Sequence, residues 1–124
     1  VVDWWVRNDD RLTGNPNLLW DVVAKELVVI DHNQAFDRDF SVPDFLAYHV
    51  FANHWHHVST DIVAQAEYAE RMTAALDGVA ADCHNAPLEW HWVNVEMDVA
   101  ATYDLNRIKE TLARCATPEL WRTV

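Results

Sequence analysis

The chain has almost no glycine. Gly14 and Gly78 are its two glycines in 124 residues, and they stand far apart. A loop that wraps around nucleotide phosphates needs several closely spaced glycines, so this type of loop is excluded. Tight turns also have few residues that adopt a positive φ without strain. Because the rest of the chain is rich in Ala, Val, Leu and Glu, we expect a mainly helical fold.

Basic side chains are also scarce. The sequence has 9 Lys and Arg against 20 Asp and Glu, which gives a net charge of −11 and a pI of about 4.8. Nucleic acids and anionic membrane surfaces bind clusters of Lys and Arg, so neither is an expected partner. The excess of carboxylates has two interpretations: solubility, or a set of side chains that needs a divalent cation.

Features of secreted and membrane proteins are missing as well. The two cysteines, Cys83 and Cys115, form no CxxC pair, and we find no signal peptide and no run of about eighteen apolar residues. We therefore expect a cytoplasmic protein. The length suits a single domain, residues 1–124. The chain starts at Val1 rather than at Met, which we interpret as a cut through a longer protein.

The first forty residues alternate between apolar runs and polar loops. Val1–Asn8 is typical of the last turns of a helix. Two apolar runs, Asn17–Trp20 and Glu26–Ile30, flank Asp21–Lys25 and predict a small β-hairpin, because they are short and rich in β-branched residues. The polar segments on either side of the hairpin are predicted loops, Asp9–Asn17 and Asp31–Asp39.

From Ser41 onward the pattern becomes helical. Ser41 as N-cap, with Pro43 in the first turn, predicts a helix that runs to about Val58. A second helix is predicted to start at Ser59–Asp61 and to end near Gly78, which suits a glycine after a helix terminus. Further helical segments are predicted after Pro87, over Asp104–Arg114 and at Thr117–Glu119.

Three side chains in the two loops that flank the hairpin fit phosphoryl transfer. Asn15 follows Asp10 by five positions, which is the Asp-to-Asn step of kinase catalytic loops, and Asp31 follows an apolar strand. In such a site the first Asp accepts the proton of the attacking hydroxyl. The Asn and the second Asp bind Mg²⁺, which bridges the ATP phosphates.

Two other interpretations of these loops are considered. Asp and Asn are common in ordinary turns, where their side chains hydrogen-bond to the backbone. Asp9 competes with Asp10, but the residue five positions after Asp9 is Gly14, which has no side chain to bind a metal. The spacing therefore favours Asp10 as the catalytic residue.

The same residues resemble the HipA-like kinases. The resemblance rests on Asp10-Arg11-x-x-x-Asn15-Pro16-Asn17-Leu18-Leu19 and on Ile30-Asp31-His32-x-x-Ala35-Phe36. The phosphoinositide kinases are similar but less close. The resemblance implies the C-terminal lobe of a protein-kinase-like fold, with Asp10 catalytic, Asn15 and Asp31 as ligands of Mg²⁺ and ATP, and a protein Ser/Thr hydroxyl as acceptor. The loops depart from the family at Leu12 and from many kinases at His32-Asn33, which leaves the substrate open.

An upper lobe is expected to be the partner of this chain. Kinases need a lysine for the nucleotide phosphates, and the two lysines here are misplaced: Lys25 is in the predicted hairpin turn and Lys109 on a surface helix. We therefore expect a missing N-lobe of the same polypeptide, and little or no kinase activity from the 124 residues alone. The alternatives are a non-catalytic, pseudokinase-type scaffold and a lipid or small-molecule kinase.

Other polar and aromatic residues have simpler interpretations. His54 and His57 are three positions apart and offer an alternative metal pair, but no HExxH motif accompanies them, so surface histidines are favoured. Arg11 is expected to hold its loop by pairing with a carboxylate. The 7 Trp indicate a well-buried core or a surface for a missing partner, and three of them are expected to pack rather than to bind a ligand: Trp90, Trp92 and Trp121.

Overall fold

The computed structural model describes residues 1–123, apart from the side chain of Ala80, so Val124 of the expected domain lies outside the described residues. Over this range the chain forms five α-helices and one two-stranded sheet. Helices make up 51% of the structure, which confirms the expectation of a mainly α fold with a small hairpin. The helices are α1 (Val2–Trp5), α2 (Val42–Tyr48), α3 (Ala52–Thr60), α4 (Ile62–His84) and α5 (Leu105–Ala113).

The hairpin forms where the sequence predicts it. Strand β1 (Leu18–Asp21) pairs in antiparallel register with β2 (Glu26–Val29). The Asp21 carboxylate accepts hydrogen bonds from the backbone N–H groups of Val23 and Ala24, which shapes the turn. Apolar side chains of the hairpin remain exposed, with Trp20 at 60% and Val23 at 89%.

The chain closes on itself at the base of the segment that carries the hairpin. The Phe36 N–H donates to the Val6 carbonyl at 2.6 Å, and the Asp37 N–H donates to the Arg7 carbonyl at 3.3 Å. Residues 8–35, with both polar loops, are therefore an excursion that leaves and returns to the end of α1. We refer to this junction as the neck.

The helix predicted from Ser41 to Val58 is wrong as a single element. Ser41 is the N-cap, and its hydroxyl accepts from the Asp44 N–H as expected, but α2 ends at Tyr48. His49 has an extended backbone, with ψ of 136°. The next N–H, that of Val50, donates to the Arg11 carbonyl at 3.0 Å. The chain leaves the helix because it pairs with the polar loop, and α3 begins afterwards.

Helix α4 is longer than predicted. Asp61 caps its start by accepting from the N–H groups of Val63 and Ala64, but the helix continues through Gly78 to His84. Gly78 has no positive φ and lies in the helix interior. A glycine there costs about 1 kcal/mol relative to alanine, too little to end a helix that packs on its neighbours.

The core is built on the tryptophans of α1. Trp4 stacks on Trp55 at 4.3 Å between ring centroids, and its indole N–H donates to the Leu120 carbonyl. Trp121 stacks on the other side of this group, 5.7 Å from Trp55, as the packing prediction requires. Trp90 does not follow that prediction, because it is 64% exposed.

The C-terminal third is held by short elements. Three 3-10 turns occupy Leu88–His91, Arg114–Ala116 and Pro118–Trp121, which includes the segments predicted after Pro87 and at Thr117–Glu119. Helix α5 forms within the predicted range Asp104–Arg114, and Asp104 is its N-cap. None of the helices within residues 1–123 has the length and apolar content that a membrane crossing requires.

Candidate active site

A buried arginine joins the two polar loops. Arg11 is 1% exposed, and its guanidinium pairs with the Asp3 carboxylate of α1, with Nε 3.0 Å from Oδ2. Nη1 of the same group donates to three carbonyls on both sides of the hairpin base, those of Pro16, Asn17 and Ile30, at 3.2, 2.8 and 3.0 Å. The expected pairing with a carboxylate is confirmed. Arg11 also fixes the first loop against the end of β2.

His49 completes the group around Asp3. Its Nδ1 accepts the Phe51 N–H at 3.1 Å, so this nitrogen carries no proton and the proton of the neutral ring is on Nε2. Nε2 lies 3.4 Å from Asp3 Oδ2, an ion-pair distance without the alignment of a good hydrogen bond. His49 also stacks on Phe45, with 4.1 Å between ring centroids. His49, the residue at which α2 ends, therefore belongs to the buried group that Asp3 and Arg11 form.

The carboxyl of Asp3 is strongly acidic. Its burial alone would raise the pKa, but the contacts with His49 and the charged guanidinium of Arg11 outweigh it and lower the pKa to about 2. Asp3 therefore stays ionised beneath the loop throughout the physiological range. An ionised buried carboxylate of this kind requires its partners, since an unpaired one costs several kcal/mol.

Asp9 and Asp10 have different surroundings. The Asp9 carboxylate accepts the Ser41 N–H at 2.9 Å and ties the loop to the start of α2. The backbone N–H of Asp10 donates to Asn8 Oδ1, which holds the loop, while no residue of the described range donates to the Asp10 carboxylate. Asp10 is half-buried and its oxygens are free. Asp9 therefore has a structural contact that Asp10 lacks.

Asn15 and Asp31 lie at the same end of the hairpin. Asn15 closes a turn with Leu12, and its N–H donates to the Leu12 carbonyl at 3.0 Å. Two residues later the Asn17 carbonyl accepts the Ile30 N–H at 3.0 Å, and Asp31 follows directly. Asp31 has a φ of 56°, so the backbone bends sharply where β2 ends. The hairpin and Arg11 together place the two loops side by side.

The side-chain oxygens of Asn15 and Asp31 are ligands of the type that Mg²⁺ binds. Within residues 1–123, no hydrogen bond is donated to the side-chain oxygens of Asn15 or Asp31, and both side chains are exposed. Carboxylate and amide oxygens are the hard ligands that this ion prefers, and it usually keeps waters and substrate phosphates in its other positions. Asp31 and Asn15 therefore offer the side-chain oxygens that could hold the ion.

His54 and His57, the alternative metal pair, have no further metal-binding side chains grouped with them in the described range. His54 Nε2 lies 3.4 Å from the hydroxyl of Tyr68. In the part of the chain that the structure describes, no three His, Cys, Asp or Glu side chains are grouped in a way that would hold a metal ion. His54 and His57 thus have no third ligand of these types among the described residues.

Two residues of the site were missed from the sequence. Asp3 stands in the apolar run Val1–Val6, and a lone carboxylate in such a run is a signal of a buried ion pair that could have been used. His49 gave no such signal, because it is one of four histidines in a segment that predicts a continuous helix.

A comparison with models of protein families identifies a family for this chain. A family model described as HipA-like kinase matches residues 1–124, the whole chain. No curated protein and no solved structure matches the chain.

Proposed function

The chain belongs to the HipA-like kinase family, and from this membership we propose that it is the C-lobe of an ATP- and Mg²⁺-dependent kinase that phosphorylates a Ser or Thr hydroxyl of a protein. One observation supports the proposal most directly. Arg11 donates to carbonyls at both sides of the hairpin base, next to the Asp10–Asn15 loop and to Asp31, and within residues 1–123 no hydrogen bond is donated to the side-chain oxygens of Asp10, Asn15 or Asp31.

Each residue has a distinct proposed role. Asp10 accepts and orients the proton of the acceptor hydroxyl, for which a carboxylate with free oxygens is required. Asn15 and Asp31 hold Mg²⁺ through their side-chain oxygens, and the bound ion would neutralise charge on the ATP phosphates. Arg11 positions both loops but does not touch the reacting groups.

The exposed hairpin supports the proposal of an upper lobe. Leu19, Trp20 and Val22 are each more than half exposed, and a two-stranded sheet with uncovered apolar side chains is marginally stable in water. A second lobe seated on the hairpin would cover these side chains. It would also supply the phosphate-binding lysine, because Lys25 lies in the exposed turn and Lys109 is exposed on α5.

The first test compares substitutions in the intact protein that contains this chain. We expect Asp31→Asn to lower Mg²⁺-dependent transfer of labelled phosphate from ATP to protein by about a hundredfold or more, because the carboxylate ligand is lost. Asp39→Asn is the matched control, since Asp39 is an exposed carboxylate a few residues further along. It should leave the rate nearly unchanged.

The outcomes separate the alternatives. Equal activity of Asp31→Asn and the unmodified protein would contradict the metal role of Asp31. ATP binding without phosphoryl transfer would favour the pseudokinase-type scaffold. Transfer to a lipid or a small molecule would show that this molecule, and not a protein hydroxyl, is the acceptor. Autophosphorylation by the isolated 124 residues would contradict the need for an upper lobe.

A further inference from the structure

A second cleft gathers three of the few basic side chains. It has a volume of about 390 Å³ and lies between the end of α1, the segment that leads into α2 and the C-terminal 3-10 turn. Its polar wall contains Arg7, Arg114 and Arg122, in a chain with 9 basic side chains and a net charge of −11. This concentration of positive charge contrasts with the net negative charge of the chain.

The three guanidinium groups have no carboxylate partner in the described range. No Asp or Glu oxygen of residues 1–123 lies within 4.0 Å of their nitrogen atoms, although Arg11 and Arg38 both have such partners. Glu119 lines the cleft but stays beyond this distance. The Nε of Arg7 is buried and has no hydrogen-bond partner in the described range. A buried donor left in this state is destabilising, and its residue lines the cleft.

Arg114 is held in place with one nitrogen uncommitted. Its Nε donates to the Thr111 carbonyl, and its Nη2 donates to the carbonyls of Trp4 and Trp5 at 3.2 and 2.7 Å. Burial, and then the nearby charge of Arg7, lower the pKa of Arg114 to about 10, against the opposing effect of Glu119. The carbonyls of Trp4, Trp5 and Thr111 thus hold Arg114 in the wall of the cleft that Arg7 also lines.

The backbone at Arg7 adds to this arrangement. Arg7 has a φ of 55°, which is unfavourable for a residue with a side chain and is maintained here by the neck, where its carbonyl accepts the Asp37 N–H. Strained residues of this type concentrate at sites where a ligand is held. The strained backbone and the unpartnered Nε both belong to Arg7, which lines the cleft.

We propose that the cleft binds a phosphate group, either free or on a phosphorylated side chain, through Arg7, Arg114 and Arg122. Guanidinium groups match phosphate oxygens in paired, charge-assisted hydrogen bonds. A carboxylate is satisfied by one such group, whereas a tetrahedral dianion has enough oxygens and charge for three. Trp4 and Phe40 form an apolar wall beside them. This site is separate from Asp10, Asn15 and Asp31, and does not depend on the proposed kinase activity.

The test is calorimetric titration of the intact protein with inorganic phosphate, at low ionic strength and without nucleotide or Mg²⁺. We expect saturable binding that Arg122→Gln weakens by about tenfold, because one charge-assisted contact is lost. Arg71→Gln makes the same change of charge on the exposed face of α4, outside the cleft, and should leave the affinity unchanged.

A substitution that should strengthen binding makes the test independent of folding defects, because a misfolded variant would bind less phosphate. Glu119→Gln removes the negative charge that faces the cleft, so it should tighten phosphate binding by several-fold. No saturable binding, or equal effects of Arg122→Gln and Arg71→Gln, would overturn the proposal.

The source of the phosphate is a separate question with its own probe. O-Phosphoserine that binds more tightly than inorganic phosphate, with serine itself not binding, supports a phosphorylated side chain as the ligand. Equal affinities support free phosphate.

Discussion

Two groups of arginines in this molecule differ in how their charge is satisfied. Arg11 is buried, pairs with Asp3 and donates to three carbonyls. Arg7, Arg114 and Arg122 have no carboxylate partner among residues 1–123, and Arg7 Nε has no hydrogen-bond partner there. A fully satisfied guanidinium is a structural element, because nothing is left for a ligand to bind. An incompletely satisfied group retains the capacity to bind an anion.

The largest expected effect is the loss of the satisfied arginine. Arg11→Met removes the guanidinium partner of the buried Asp3 charge and leaves three carbonyls without this donor, so we expect a loss of about 3–5 kcal/mol in the free energy of unfolding. Urea denaturation followed by circular dichroism measures this. Arg38→Met is the control, because its ion pair with Asp104 is exposed and is worth at most about 1 kcal/mol. Equal losses in the two variants would show that the network around Arg11 does not stabilise the fold.

A smaller effect is expected from acid. The pKa of Asp3 is lowered from 3.8 to about 2 in the folded protein, so its contribution to stability is complete above pH 3.8 and is lost as the pH falls towards 2. This contribution is about 2 kcal/mol. Asp3→Asn should remove that part of the pH dependence of the urea midpoint, while Asp39→Asn should retain it. An unchanged acid profile in Asp3→Asn would contradict the ionised state of Asp3.

The smallest effect is expected at the incompletely satisfied group. Arg122 is exposed, so Arg122→Gln should change the free energy of unfolding by no more than about 0.5 kcal/mol in the absence of phosphate. Added phosphate should then raise the melting temperature of the unmodified protein more than that of the variant, because a ligand stabilises the state that it binds. A large loss of stability without phosphate would assign Arg122 to the structural group instead.

Local features of the sequence predicted much of the fold. The hairpin and the cap at Ser41 depend on neighbouring residues and form as expected. Asp61 and Asp104 cap the two helices whose starts the sequence predicts near these residues. The break at His49 depends on contacts with Asp3 and with the Arg11 carbonyl, about forty positions away. The pattern of apolar residues contains no information on such contacts, so it predicts one continuous helix from Ser41 to about Val58.

The candidate active site and the arginine cleft also differ in whether their residues are close in the sequence. The spacing of Asp10, Asn15 and Asp31 is local and could be found directly from the sequence. The arginine cleft joins Arg7 to Arg114 and Arg122 across more than a hundred positions of the chain, and no motif relates them. Only the packing of the C-terminal turn against α1 brings them together.

The neck at Val6 and Phe36 fixes the base of the segment that carries the hairpin, while the hairpin turn can vary in length. The excursion between them is anchored at its base by the neck and by Arg11, whereas the turn after Asp21 lies at the opposite end of the hairpin and is exposed. Doubling the length of such a loop costs only about 0.6 kcal/mol in closure entropy. A short reporter peptide inserted between Val22 and Val23 would thus leave the acidic loops in register, which makes this tip a natural attachment point for a probe of whatever covers the hairpin.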